Sequence, residues 1–176
     1  MKYYQLHYNP IKIDFVCNSL VLTLMRLPST DFLSLSYLIP TSIVQDPKIQ
    51  LVKKCANLLE RGKFLEFWEE YTSPETPETL FSQAQGFVDS IRAFILSSLS
   101  QTFKNIPKEE FQQHLGLNEN SIAIFCKSNP YIEKIDGDYV VFVGNEENRR
   151  KKKMFDDNLR MDEGLRLVEF LRTAKE

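Results

Sequence analysis

Histidine is scarce in this 176-residue chain: His7 and His114 are the only two. Neither has a carboxylate or cysteine cluster at ligand spacing around it, and metal sites and acid–base centres need convergent partners. Nucleotide and zinc-hydrolase signatures are missing as well, since there is no G-x-G-x-x-G, no P-loop and no H-E-x-x-H. The acidic pairs Glu146-Glu147 and Asp156-Asp157 sit in solvated polar runs and read as surface. These absences predict a chain that is not an enzyme and holds neither metal nor cofactor.

Long apolar runs are lacking too. No stretch reaches the roughly 20 residues of a membrane span. The segment from Phe15 to Leu24 is broken by Asn18, Ser19 and Thr23, and no basic leader or small-residue cleavage site makes it a signal peptide. The three cysteines, Cys17, Cys55 and Cys126, are odd in number and far apart. They read as small buried apolar residues of a reducing compartment, the cytosol or nucleus. Charge of one sign is absent: 22 basic residues face 24 acidic ones, a net charge of −2, with no general pull toward nucleic acid or anionic lipid.

What the chain does have is helical periodicity, at 43% hydrophobic and 12% aromatic residues. Residues 86–143 read as three short helices and a hairpin, the order of a winged helix. Phe87, Ile91, Phe94, Ile95, Leu99 and Phe103 share one face of a helix from about Phe87 to Phe103. A second helix begins at Pro107 and ends at Leu115, with Gly116 as its C-cap. A third follows the capping candidate Asn118, turns Ile122, Phe125 and Cys126 inward and stops before Pro130. Strands at Tyr131–Ile135 and Tyr139–Val143 flank Asp136-Gly137, a pair suited to two positions with φ > 0.

The N-terminal half reads as short helices punctuated by Asn9-Pro10, Leu27-Pro28, Asp46-Pro47 and Arg61-Gly62. Their stripes are Ile13, Val16, Cys17, Leu20, Val21 and Leu24; then Phe32, Leu35 and Ile39; then Ile49, Val52, Ala56 and Leu59. Phe64, Phe67, Trp68 and Tyr71 form a dense aromatic fourth stripe, expected to be core between helices. Ser29-Thr30-Asp31 supplies capping oxygens for the second helix, and a short helix spans Glu78 to Ala84. A last amphipathic helix, from about Met154 to Thr173, carries Met161, Leu165, Val168 and Leu171, with Leu167 and Phe170 widening its face.

The expected fold is therefore mainly α: a helical-repeat domain over residues 1–85, a winged helix with a small β-hairpin over 86–145, and a charged connector with a C-terminal helix over 146–176. The two halves are expected to pack against each other. The repeat reading rests on spacing, since no clean internal sequence repeat is found.

A winged helix either reads nucleic acid or joins proteins, and charge separates the two. Groove readers need Lys and Arg for phosphates and Arg, Asn or Gln for bases. The third helix, Asn118–Asn129, has one lysine, no arginine and one glutamate; Pro107–His114 has two acids and one lysine. This favours protein contacts over sequence-specific DNA. The run Arg149, Arg150, Lys151, Lys152 and Lys153 could make a weak RNA contact or serve as a nuclear address, but flanking acids nearly cancel it and a solvated connector is the plainer reading.

Three blocks carry a resemblance to a known family. Tyr4-Gln-Leu-His-Tyr-Asn-Pro10 with Leu27-Pro-Ser-Thr-Asp-Phe32, then Leu58-Leu-Glu-Arg-Gly-Lys-Phe-Leu-Glu-Phe-Trp68, then Gly86-Phe-Val-Asp-Ser-Ile-Arg-Ala-Phe-Ile95 with Thr102-Phe103 and Ile106, resemble in order the k subunit of eukaryotic translation initiation factor 3. That family has a helical-repeat domain followed by a winged helix, with additional helices ahead of the first block. The resemblance implies a non-catalytic, cytoplasmic scaffold subunit acting in translation initiation at the small ribosomal subunit, with the l subunit as neighbour. In this superfamily winged helices pair edge to edge and terminal helices gather into a bundle. That implies partner contacts at the hairpin edge, Val140, Val141 and Val143, and at Leu165, Val168 and Leu171. The competing readings are a related subunit of the proteasome lid or signalosome and a free-standing winged-helix nucleic-acid binder.

Overall fold

The computed structural model describes residues 12–74 and 77–149, together with Arg166 and Phe170. In the N-terminal half, α1 (Ile13–Leu24), α2 (Asp31–Tyr37), α3 (Pro47–Glu60), α4 (Phe64–Thr72) and α5 (Glu78–Ser82) follow the apolar stripes closely. Each stripe is buried where its 3.6-residue period brings it inward: Val16, Cys17, Leu20, Val21 and Leu24 on α1, and Ile49, Val52, Ala56 and Leu59 on α3. Asp46 caps α3 by accepting the Lys48 N–H at 2.9 Å, and Pro47 opens the helix at a position where its missing N–H costs nothing. At the start of α2 the capping oxygen comes from Ser29 within the expected Ser29-Thr30-Asp31 group. The cap residue Thr30 makes no side-chain cap bond, and Ser29 Oγ accepts the Asp31 N–H instead, at 3.3 Å. Asn18 donates to Gln83 beyond the end of α5, tying the first helix to the last of this half.

The second half is α6 (Phe87–Thr102), β1 (Asn105–Pro107), α7 (Lys108–Leu115), α8 (Glu119–Ser128), β2 (Ile132–Asp136) and β3 (Tyr139–Phe142). The hairpin is thus a three-stranded antiparallel sheet in the order β1-β3-β2. β1 was not foreseen. It occupies Pro107, so α7 begins one residue later than expected, and Ile106 pairs with Val140 deep in the core. The turn is also displaced by one residue. Asp136 pairs with Tyr139, leaving a two-residue loop, Gly137-Asp138, in which only Gly137 has positive φ, at 57°. That glycine-first pattern suits a II′ turn rather than a turn with two positive φ angles. Asn118 stands before α8 with extended backbone but makes no side-chain cap bond; its carbonyl accepts the Ser121 N–H at 2.9 Å.

Buried residues from both halves form one hydrophobic cluster, running from Val16 on α1 to Phe142 on β3. The joint between them lies at the end of α7. Helix C-terminal carbonyls lack partners within the helix, and here groups from two other helices supply them. Trp68 Nε1 of α4 donates to the His114 carbonyl at 2.8 Å. Arg92 of α6 donates to the Leu115 carbonyl at 3.0 Å and to the Gly116 carbonyl at 2.8 Å, with its guanidinium 5.7 Å from the centre of a Trp68 ring. The aromatic stripe is core, as its spacing predicts: Phe67, Trp68, Tyr71, Phe81 and Phe87 form a chain of ring contacts between 4.8 and 6.2 Å.

Gly116 closes α7 in the left-handed region, φ 57°, and a Cβ there would lie 2.9 Å from Trp68 Cδ2. Gly62 has a similar φ of 71° with nothing near its missing Cβ. The pair separates backbone strain from packing. Gly62→Ala should cost only the left-handed penalty, about 1–2 kcal/mol, while Gly116→Ala should cost about 3 kcal/mol or more because overpacking against the indole is added. Urea midpoints at unchanged m-value would measure both.

Candidate protein-interaction surfaces

The sheet is two-faced because side chains alternate along a strand. On β3, Val140 and Phe142 are 0% and 1% exposed and pack on the helices, whereas Tyr139 and, just past the strand, Val143 are 49% and 45% exposed. The expectation that these residues form a free hairpin edge is therefore corrected. β3 is the central strand, hydrogen-bonded on both sides, so Val140, Val141 and Val143 offer no unpaired strand edge, and Val140 is core. The free edges belong to β1 and β2. Val143 lies just beyond β3, and its N–H donates to the Tyr131 carbonyl at 3.0 Å.

After the sheet, Asn145 and Asn148 clamp the chain onto α6. Both side-chain amides donate to the Ser100 carbonyl, at 3.0 and 2.9 Å, and Asn148 also donates to the Val143 carbonyl at 3.0 Å. In return Asn145 Oδ1 accepts the backbone N–H groups of Glu147 and Asn148, and Asn148 Oδ1 accepts that of Asn145. Sequence reasoning missed this clamp, although an Asn-x-x-Asn spacing in a polar run is a recognisable turn former. Glu146 and Glu147 project from it, exposed. Arg149 is exposed, its guanidinium lying over Gly144. Arg150, Lys151, Lys152, Lys153, Leu165, Val168 and Leu171 lie outside the described residues. Arg166 and Phe170 within that last stretch are helical and exposed.

Among the described side chains of the helix that would enter a DNA groove, the exposed ones are uncharged. Ser121, Ile124 and Ser128 are exposed on α8, with Ile124 at 71%. Ahead of it, Glu109 and Glu110 are exposed on α7. His114 has its ring edge-on to Phe64 at 6.0 Å, and its buried Nδ1 has no hydrogen-bond partner among the described residues. No group of three or more His, Cys, Asp or Glu that could hold a metal, and no helix long and apolar enough to cross a membrane, occurs among the described residues.

The cysteines are free and buried, as expected. Burial pushes the Cys17 thiol up to about 11 and the Cys55 thiol up to about 12, with Asp46 and Glu70 adding to the effect, and moves Cys126 upward too.

These features define the class: a short helical stack closed by a winged helix whose described exposed residues on α7 and α8 are acidic or uncharged. The chain belongs to the CSN8/PSMD8/EIF3K family, whose model matches residues 10–153. It is 29% identical over 163 residues to eukaryotic translation initiation factor 3 subunit K of Drosophila erecta, covering 92% of this chain and 71% of that protein. The proteins of the same name from Drosophila grimshawi and Drosophila persimilis are 28% identical over the same shares.

Asn148→Ala should cost about 1–3 kcal/mol in urea unfolding, because it leaves the Ser100 and Val143 carbonyls short of a donor and frees the turn. For the thiols, the folded pKa lies above the unfolded one, so their contribution is intact below about pH 9 and is lost as pH rises toward 11–12, where the unfolded chain releases protons the folded chain keeps. Wild-type stability should therefore fall more steeply above pH 9 than that of Cys55→Ala. A thiol-specific disulfide reagent at pH 8 should label the native chain slowly and the urea-unfolded chain at once.

Proposed function

We propose that the chain is a non-catalytic scaffold subunit of eukaryotic translation initiation factor 3, acting in the cytoplasm through contacts with other subunits gathered on the small ribosomal subunit. The observation that carries this reading is the family match across residues 10–153, together with relatives that bear the subunit K name over 92% of the chain. The physical chemistry supports it from a second side. α8 exposes Ser121, Ile124 and Ser128 where a nucleic-acid reader needs cations.

Within this reading the chain divides near residue 85 into the helical stack and the winged helix, with residues from 146 onward as connector and terminal helix. Its contacts with partners are made by the winged helix and by the stripe Leu165, Val168 and Leu171, whose apolar face gains about 25 cal/mol per Å² when buried in a helical bundle. The l subunit is the neighbour proposed by family resemblance. Arg149 to Lys153 would add at most a weak, steeply salt-dependent RNA contact.

The test is a tagged pull-down of the full chain from native lysate with mass spectrometry of what co-purifies. Recovery of initiation factor 3 subunits, lost in Leu165→Asp/Val168→Asp/Leu171→Asp, is the expected result. Recovery of proteasome-lid or signalosome subunits would keep the family and change the complex. Tight, salt-sensitive binding to duplex DNA with no protein partner would overturn the reading.

A further inference from the structure

We draw no further inference here: the strongest candidate, the cleft of about 440 Å³ between the α3–α4 turn, α6 and the end of α7, lined by Phe64, Phe94, Phe103 and His114, is bordered by the exposed and oppositely charged Glu60 and Arg61, and nothing in the structure shows what covers it.

Discussion

The placement of the described elements that follow α7 depends on the capture of three carbonyl groups, those of His114, Leu115 and Gly116, by Trp68 and Arg92. A helix end buried without partners would carry the full desolvation cost of its carbonyls, of the order of 1–3 kcal/mol each. In most helices water or a local turn meets that need. Here the donors come from α4 and α6, so satisfying one helix end also fixes the relative placement of three helices. The guanidinium lies against the indole that shares its task, so neither donor can move without disturbing the other. Gly116 is the condition for this arrangement, since it both turns the chain and leaves room for the Trp68 ring.

From that joint the consequences reach the sheet. α7 is held against α4, its Phe111 meets Phe142 and Phe125 at 6.1 and 6.5 Å, and β3 is thereby seated with Val140 and Phe142 inward. With those two residues committed to the core, the period of two sends Tyr139, Val141 and Val143 outward. A one-residue slip would bury tyrosine and expose phenylalanine. β1 completes the constraint, because a strand with partners on both sides has no register left to choose.

Much of this was legible in the sequence because it is local. Helix stripes, the Pro47 start of α3 and the Gly116 stop of α7 depend on residues within a turn or two of one another, and they fall where the periodicity puts them, except that Phe103 lies just past α6 and is 40% exposed. What was not legible is long-range. Asn-Ile-Pro at 105–107 has no period of its own and becomes a strand only because β3, more than thirty positions later, lies alongside it. The aromatic stripe announced Trp68 as core, but not that its N–H would meet α7. The strand edge was misplaced for the same reason: Val140 to Val143 reads as an edge in a two-stranded hairpin and becomes a centre once a third strand joins.

Under the proposed contact role, a rigid joint would matter. Binding costs include the ordering of whatever is loose at the interface, and preorganised surfaces avoid that part of the cost. Stable interfaces bury roughly 800 Å² per partner, more than the outward face of a four-residue strand and its neighbours can supply alone. Under that proposed role the chain would need a second point of attachment. The amphipathic stripe that begins a dozen residues beyond the Asn145–Asn148 clamp is suited to supply it. Two modest contacts on one tethered chain act with an effective concentration near the millimolar range for a short linker. The clamp fixes where that linker starts, and the Trp68–Arg92 joint fixes how the helical stack is carried with it. The two polar devices that sequence reading missed are thus the ones that would turn two separate apolar surfaces into a single oriented attachment.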